Sequence, residues 1–446
     1  MKNFKSVLAM LLVLALVLTA CSNGNEAGET ATTDETTATT AEGLTGEISV
    51  QAETEWLEYY EAAVERVKEA NPDATINIIE VGAFDHLDTL DNTDALNEDV
   101  ADLFSIPADR LYGLNDALVL NPMDAEAIAS DLGGFDDFNA GLGGQFNIDG
   151  EYLAFPYNIE TLITYSNLSN AEAAGIDLEQ PVEFSNQDSE ARVLLPLFDA
   201  WYGVAVTNAA DIELLGQDEN GEFFSDMTKE FSELTEDQQA AIQSIYDYWN
   251  AHNEANTPLF DAEAGWGYVD DEFRAGADGV IRLGGPWEQA TMSEIAGADN
   301  LAINSIDHIT INGNPLSHWK GGWGLAINSR IEEDQEKIDL AYAMIKEIVN
   351  PEYAVDLFNA TGKILENATI ETYEDSDLSD IQKEIIAATY ESYNEAPARP
   401  LFSEWGQVWD TWKNALLSWN SVQPETVEDA YNEIKASFDA MMTNIQ

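Results

Sequence analysis

The sequence predicts an α/β protein of two lobes, each built on its own mostly parallel β-sheet flanked by helices. Strand and helix patterns alternate at the start of the folded region and return near residue 323, which is typical of parallel sheets with right-handed crossovers. A single hydrophobic core stops growing at about 250–300 residues, so a chain of 446 residues requires more than one. Hydrophobic residues make up 45% of the chain, which is enough to fill such cores and excludes general disorder.

The strand and helix signals follow one another along the body of the chain. Strand periodicity marks Glu47–Ala52, Ala74–Val81, Val100–Phe104, Thr161–Ser166, Val280–Leu283 and Trp323–Asn328. Helical periodicity marks Trp56 to Val67, the segment after the Thr235–Gln238 capping box, Gln335–Val349, Trp405–Trp419 and Thr426 to about Met442. Because a different stretch separates the early strands from the late return, we expect two separate sheets.

The charge of the chain is strongly negative, with 18 Lys and Arg against 84 Asp and Glu and a formal net charge of −66. Binding nucleic acid requires a cationic surface that displaces counterions, so we expect no nucleic-acid partner. The same charge disfavours an anionic ligand, although one local cluster of cations could overcome it. Cys21 is the only cysteine, which excludes internal disulfides and cysteine-rich metal sites. We expect neither a metal nor a cofactor.

The N-terminus has the pattern of an exported lipoprotein. Lysines near Met1 precede the apolar run Val7–Leu18, which is too short to span a membrane comfortably. The sequence Leu18-Thr-Ala-Cys21 matches the bacterial lipobox, in which the cysteine receives diacylglycerol. We therefore expect a signal peptide over 1–20, and an acylated Cys21 with a flexible tether over 21–46. This predicts a location on the extracellular face of a bacterial cell membrane, held there by the lipid anchor.

Motifs of common enzymes are missing from the sequence. It has no GxSxG elbow, Walker loop, GxGxxG after a strand, HExxH or complete EF-hand loop. Glycoside hydrolysis needs only two carboxylates, so a surface glycosidase stays open as an alternative. An adhesion or scaffold lipoprotein is a second alternative. The absence of these motifs nevertheless favours a binding protein over an enzyme.

Tryptophan is abundant, with 11 residues, several of them in polar or glycine-rich contexts. Sugars have an apolar face of C–H groups and a rim of hydroxyls, so a sugar site needs flat aromatic surfaces and planar polar groups. Trp405, Trp409, Trp412 and Trp419 lie on one face of a helix. We expect at least two of them in the core and one end of this stripe in a cleft.

Three further segments carry candidate binding residues. Trp287 follows a strand and a Gly284-Gly-Pro turn, at the strand end where α/β folds place ligands. Trp323 follows Gly321-Gly322 and begins a strand. Asp109-Arg110 comes just after another strand and contains one of the few cations, which could bind hydroxyls.

Four segments together resemble the extracellular solute-binding proteins of ABC importers, and within them the maltose/maltodextrin-binding group. They are Asn147–Asn167, Arg274–Trp287, Gly321–Asn328, and Trp409–Asn414 with Thr426–Ala430. The resemblance covers about residues 47–446. It implies the type II periplasmic-binding-protein fold, with the ligand cleft between the lobes. It further implies one lobe made of 47–158 with 318–363 and a second made of 159–317 with 364–446.

The resemblance also assigns site residues. Glu160 matches the family's carboxylate that accepts sugar hydroxyls, and Trp287 and Trp409 match its stacking aromatics. Lys413 falls where the maltodextrin binders have an arginine, and Asp109-Arg110 matches a first-lobe pair. With Trp56 and Trp323, these residues form the predicted ligand site.

The sequence departs from the family pattern at three places. Ile106 stands where the family often has a tryptophan, and the first-lobe acid–lysine pair is replaced around Glu53–Trp56. A stacking tyrosine of the second lobe has no clear counterpart near Ala191–Tyr202. The resemblance implies a monomeric, non-catalytic lipoprotein that captures an oligosaccharide, most simply of the maltodextrin type, and delivers it to an ABC permease. Another glucan or oligosaccharide stays open.

Overall fold

Two β-sheets organise the part of the chain that the structure describes, residues 43–184 and 187–445 of a computed structural model. The predicted signal peptide, the lipidation site Cys21 and nearly all of the predicted tether lie outside these residues. The strands of the two sheets are, in chain order, β1 (Glu47–Ala52), β2 (Thr75–Glu80), β3 (Leu103–Pro107), β4 (Phe155–Glu160), β5 (Ile163–Asn167), β6 (Val193–Leu194), β7 (Ile281–Gly284), β8 (Leu301–Ser305), β9 (Gly321–Ile327) and β10 (Ile364–Leu365).

The first sheet has the order β10-β4-β9-β3-β1-β2 and the second the order β8-β5-β7-β6. Strand β1 is parallel to β2 and β3, whereas β9 runs antiparallel to both of its neighbours, β3 and β4. In the second sheet β7 is parallel to β6 and antiparallel to β5. The predicted α/β class is confirmed. The sheets are mixed rather than mostly parallel, because β9 and β10 enter the first sheet from the direction opposite to β1–β3.

Helices cover the faces of both sheets. Those of eight or more residues are α1 (Leu57–Ala70), α2 (Ala83–Asp91), α3 (Ala125–Leu132), α4 (Ala200–Ala209), α5 (Glu236–Ala255), α6 (Gly265–Phe273), α7 (Gln335–Ile348), α8 (Ala354–Thr361), α9 (Asp380–Glu395), α10 (Gly406–Val422) and α11 (Val427–Ile445). Shorter helices are Leu111–Asp116, Leu142–Gln145, Leu168–Ala174, Gln289–Met292 and Ile370–Glu374. None of the helices in the described part of the chain is long and apolar enough to cross a membrane.

Smaller strand pairs lie outside the two sheets. They are the hairpins Asn147–Ile148 with Glu151–Tyr152 and Gly216–Gln217 with Phe223–Phe224, and a three-stranded sheet of Val182–Glu183, Ile309–Ile311 and Asn314–Pro315.

Local sequence signals placed most of these elements correctly. Strand β1 has the predicted bounds, and the Thr235 hydroxyl accepts the Gln238 backbone N–H at 3.2 Å, which confirms the capping box before α5. The strand predicted over Val100–Phe104 begins three residues later, at Leu103, and continues to Pro107. The reason is that all of Leu103–Pro107 is buried, so the sheet includes residues that the alternation pattern had left out.

The chain passes between the two sheets at three places. Strand β4 of the first sheet is joined to β5 of the second by the buried residues Thr161 and Leu162. It returns between β8 and β9, and after β10 it leaves the first sheet for α9, which packs against β8. The exact division into lobes stays a prediction. The residues at these crossings lie where the two sheets meet, and the candidate site is there.

Candidate functional site

Glu160 ends β4 at the first crossing between the sheets. Strand β9 begins beside it, since Gly321 pairs with Glu160 and a Cβ at 321 would lie only 3.0 Å from the Glu160 carbonyl oxygen. Burial raises the pKa of the Glu160 carboxyl, against the opposing charges of Lys363 and Arg399. The carboxyl therefore lies between two cations, each the centre of a group of aromatic side chains.

The first group surrounds Lys363. We call the following residues the lysine cluster: Glu53, Trp56, Tyr157, Glu160, Trp323 and Lys363. The Lys363 ammonium lies 4.5 Å from the ring centroid of Trp56, 4.9 Å from that of Trp323 and 5.4 Å from that of Tyr157. Each ring is close enough for a cation–π attraction.

Secondary structure holds the rings of the lysine cluster in place. Trp56 lies in the turn before α1 and stacks on Tyr60 with ring centroids 5.9 Å apart. Tyr157 belongs to β4 and pairs its hydroxyl with that of Tyr60 at 3.3 Å. Trp323 sits in β9 next to a register shift between Trp323 and Gly324, an irregularity that re-aims side chains near functional sites.

The carboxyls of the lysine cluster bind protons more tightly than usual. Burial raises the pKa of Glu53 to about 7, although Lys363 acts to lower it. Burial likewise lowers the pKa of the Lys363 ammonium, against the two carboxyls of the cluster. Glu53 is therefore present near neutral pH both as a carboxyl that donates a hydrogen bond and as a carboxylate that accepts one, which suits recognition of hydroxyl groups.

The second group surrounds Arg399. We call the following residues the arginine cluster: Asp109, Arg110, Trp201, Trp319, Arg399, Trp405 and Trp409. The Arg399 guanidinium pairs with Asp109 at 2.8 Å, and both side chains are 4% exposed. Burial acts to raise the pKa of Asp109, but the charges of Arg110 and Arg399 lower it below its usual range. Asp109 is thus held as a carboxylate.

Aromatic rings enclose the Arg399 guanidinium. Its central carbon lies 5.1 Å from the ring centroid of Trp201, 5.6 Å from that of Trp319 and 5.8 Å from that of Trp409. Trp409 also lies 5.8 Å from the Arg110 guanidinium, which pairs with Asp91 at 3.0 Å. The predicted pair Asp109-Arg110 and the predicted Trp409 are therefore neighbours.

Several N–H groups of the arginine cluster are buried without a hydrogen-bond partner among the described residues. They are the indole N–H groups of Trp405 and Trp409 and the Nε and Nη1 of Arg399. A buried polar group without a partner costs roughly 1–3 kcal/mol, so such groups need an explanation. A ligand rich in oxygen acceptors would satisfy them.

The turn that carries Trp287 lies next to the lysine cluster. The Tyr165 hydroxyl donates to the Gly285 carbonyl at 2.8 Å, and the Glu288 carboxylate accepts the Gly285 N–H at 3.0 Å. Gly362, which precedes Lys363, has φ +70°, and a Cβ there would lie 2.5 Å from the Pro286 carbonyl oxygen. Trp287 is 37% exposed. Glycine at 362 thus permits the close approach of the backbone before Lys363 to the turn that carries Trp287, whose indole ring lies over Gly285.

The structure brings most of the predicted site residues together. Those in or beside the two clusters are Trp56, Asp109, Arg110, Glu160, Trp287, Trp323 and Trp409. Lys413 differs, because it is exposed on α10, where its charge acts on Asp199. Its predicted role as a ligand-binding residue stays a prediction.

Seven members of the clusters were not among the predicted site residues: Glu53, Tyr157, Trp201, Trp319, Lys363, Arg399 and Trp405. Signals existed for three of them. Trp319 precedes Gly321-Gly322, Lys363 follows Gly362, and Arg399 lies between Pro397 and Pro400 in a chain with few cations. Trp201 is the second residue of α4 and lies where the stacking tyrosine of the second lobe was sought.

Comparison with solved structures identifies the fold. Maltose-binding periplasmic protein MalE from Listeria monocytogenes, in complex with maltose, has a TM-score of 0.61 and 18% identity over 89% of this chain and 98% of its own. MalX from Streptococcus pneumoniae, in complex with maltopentaose, has a TM-score of 0.66 and 17% identity over 88% and 99%. This chain has the two-lobed solute-binding-protein fold.

A third solute-binding structure agrees. The GacH receptor of Streptomyces glaucescens, solved unliganded and in complex with acarbose, has a TM-score of 0.69 and 16% identity over 90% of this chain and 99% of its own. No protein-family model and no curated protein matches the chain. The resemblance to maltose-binding proteins expected from the sequence is thus confirmed at the level of the fold.

In this fold the two clusters lie where the chain crosses between the sheets, with Trp287 and Trp409 contributed from beyond β5. Among the described residues, no group of three or more His, Cys, Asp and Glu side chains could hold a metal ion. The available chemistry is aromatic stacking together with hydrogen bonds from cations and carboxyls.

Proposed function

We propose that this protein binds a saccharide between its two lobes as the solute-binding component of an ABC importer. The observation that carries the proposal is the junction between the sheets. There, indole and phenol rings surround two buried cations and a carboxyl at the end of β4, and several N–H groups have no hydrogen-bond partner among the described residues.

The chemistry of this junction suits a sugar. Indole faces stack on the C–H face of a pyranose, and we assign this role to Trp287 and Trp409. The hydroxyl rim needs acceptors, which Glu160 and Glu53 supply, and donors, which the buried cations supply. Closure of the two lobes around the ligand would select or induce the bound state, as in other hinged binding proteins.

The finer proposal is an oligosaccharide of the maltodextrin type. It is supported by the solved structures with the same fold, whose complexes contain maltose, maltopentaose and acarbose. It is also supported by the match of Glu160, Trp287 and Trp409 to the family's sugar-binding positions in the sequence. A neutral ligand agrees with a chain whose formal net charge is −66.

The cellular part of the proposal comes from the N-terminal sequence. We infer that acylation of Cys21 anchors the protein to the outer face of the cell membrane, where it hands its ligand to the permease. Metabolic labelling with an alkyne fatty acid tests the anchor: we expect label on the wild type and none on Cys21→Ser. Label that persists on the variant would contradict it.

A thermal-shift screen of the full-length protein in detergent tests the ligand class. The panel contains maltose, maltotriose, maltopentaose, cellotriose, a tripeptide and phosphate. A ligand that binds the folded state adds RT ln(1 + [L]/Kd) to the free energy of unfolding. The melting temperature therefore rises with ligand concentration. We expect a shift with the α-linked glucans. A shift confined to the peptide or phosphate would overturn the sugar assignment.

Two carboxyls with raised pKa values, Glu53 and Glu160, keep hydrolysis as the second candidate, since glycosidases use a carboxyl pair. We propose binding without bond cleavage, because the solved structures with this fold are named as binding proteins. An assay for new reducing ends separates the two. Release from maltopentaose by wild type but not by Glu160→Gln would favour the hydrolase, whereas an intact sugar favours the binder.

A further inference from the structure

Three cationic side chains of the described chain are buried: Arg282, Lys363 and Arg399. Arg282 has two carboxylate partners, Asp270 and Glu288 at 2.7 Å, and Arg399 pairs with Asp109 at 2.8 Å. Lys363 differs from both. The residue is 8% exposed, no ion pair or hydrogen bond joins its ammonium to another described residue, and its Nζ is not among the side-chain atoms that are fully buried without a partner. Lys363 is therefore the one of these three cations that has no carboxylate partner among the described residues, although acids outnumber cations in the chain.

Burying an ammonium without an anionic partner is costly, because the charge loses its hydration. The rings of Trp56, Tyr157 and Trp323 recover part of this cost, but cation–π contacts offer roughly 0.5–2 kcal/mol and no hydrogen-bond acceptor. The three ammonium protons thus depend on water or on a ligand for oxygen acceptors. A residue kept solely for packing would be better served by an apolar side chain of the same length.

The surroundings of the ammonium indicate what supplies these oxygens. Glu53 and Glu160 act on Lys363 electrostatically, yet neither carboxyl lies within ion-pair distance of it. Lys363 also follows Gly362, whose backbone touches the turn carrying the exposed Trp287. The ammonium therefore lies near acceptors that it does not reach, and its own backbone adjoins the turn that carries an exposed indole.

We propose that Lys363 is a ligand-binding residue that selects hydroxylated sugars. Its ammonium donates to a hydroxyl oxygen of a sugar unit next to Trp287, and that hydroxyl donates in turn to Glu53 or Glu160. A sugar hydroxyl suits this position because it accepts and donates at once. The inference rests on the proposed sugar-binding function and adds a residue that the family resemblance does not supply.

Replacing Lys363 with methionine gives two expected effects of opposite sign. Methionine keeps an unbranched chain against the three rings but removes the charge and the donor protons. We expect the affinity for maltotriose, measured by calorimetry, to fall at least tenfold. We also expect the melting temperature of the unliganded protein at pH 5.5 to equal or exceed that of wild type. At this pH Glu53, with a pKa of about 7, is protonated and needs no counter-charge.

A matched control is Lys68→Met, the same substitution at a half-buried lysine of α1 outside both clusters. We expect it to leave the affinity unchanged. The variant Lys363→Gln, which keeps N–H donors without charge, should bind with an affinity between those of wild type and Lys363→Met.

Each result decides the matter. Weaker binding with an unchanged or raised melting temperature supports the proposal. Unchanged affinity in Lys363→Met, or a variant that melts earlier or fails to fold, makes the lysine structural and overturns it. A wild-type protein that binds neither maltotriose nor any other saccharide of the panel rejects the proposed function, and this inference with it.

Discussion

Four tryptophans at or just before α10 fall into two pairs with different surroundings. Trp412 and Trp419 are fully buried, and their indole N–H groups donate to the Leu197 carbonyl at 2.7 Å and the Ala430 carbonyl at 3.0 Å. Trp405 and Trp409 are buried or half-buried in the arginine cluster, and neither indole N–H has a partner in the described part of the chain. The indole N–H groups of Trp412 and Trp419 thus have hydrogen-bond partners, whereas those of Trp405 and Trp409 have none among the described residues.

The difference separates the core from the site within one stripe of residues. Buried tryptophans usually find a hydrogen-bond partner when packing alone decides their surroundings. The N-terminal end of the stripe reaches the junction of the sheets, where donors are left for something outside the chain. The expectation that at least two of the four pack in the core is thus met by Trp412 and Trp419.

The largest expected effect is a loss of stability in the hydrogen-bonded pair, Trp412 and Trp419. Trp412→Ala removes a fully buried indole and its hydrogen bond, and such truncations lower the free energy of unfolding by about 3–5 kcal/mol. Chemical denaturation of the unliganded protein measures it. Trp409→Ala, in which no hydrogen bond is lost, serves as the control and should lose less stability. Equal losses in both variants would erase the distinction between the two pairs.

The same contrast holds for carboxyls, since Asp109 is paired and Glu53 is not. Burial raises the pKa of Glu53 from an ordinary 4.5 to about 7, so the folded protein binds this proton more tightly than the unfolded chain. Stability from Glu53 is therefore present below about pH 4.5 and falls by about 3 kcal/mol as the pH rises to 7. Glu53→Gln, which cannot ionise, should be more stable than wild type at pH 8.

The measurement is the difference in melting temperature between Glu53→Gln and wild type at pH 8 and at pH 4.5. We expect the difference to be positive at pH 8 and close to zero at pH 4.5. Glu55→Gln, an exposed neighbour, is the control and should show little difference at either pH. A difference for Glu53→Gln that does not change with pH would show that the carboxyl titrates normally.

Substitution in the pair without hydrogen-bond partners, Trp405 and Trp409, should lower ligand affinity more than stability. Trp409→Ala removes an aromatic face that lies 5.8 Å from both Arg110 and Arg399, and we expect maltotriose affinity to fall at least tenfold. The scale is that of stacking on other ligands, about 1–3 kcal/mol for each ring. Calorimetry measures it, with Trp249→Phe, in the core, as the control. An unchanged affinity would remove Trp409 from the site.

The sequence predicted those parts of the site that local patterns reveal. Trp287 was found from its glycine–proline turn, and Glu160 and Trp409 from their place in a longer segment pattern. Trp201 and Arg399 were not found, because their meeting depends on how α4 and the segment after α9 fold against each other. Residues far apart in the chain give no signal of contact in a single sequence.

The fold shows the same division. Capping and periodicity predicted α5 and β1, which depend on neighbouring residues. The antiparallel direction of β9 was not predicted, because it depends on the path the chain takes back from the second sheet. Local physics therefore identified the elements, and tertiary packing decided their directions and the makeup of the two clusters.

The smallest expected effect on stability is at Trp287, which follows a strand of the second sheet. Its indole is 37% exposed and contributes little to the core, so Trp287→Ala should leave the melting temperature within a few degrees of that of wild type. If its ring stacks on a sugar, maltotriose affinity should fall about tenfold, and Trp287→Phe should retain most of it because a flat face remains. Calorimetry on the two variants separates stacking from packing. Equal losses in both would mean that the indole N–H, and not the face, contacts the ligand, and no loss in either would leave Trp409 without a stacking partner across the junction.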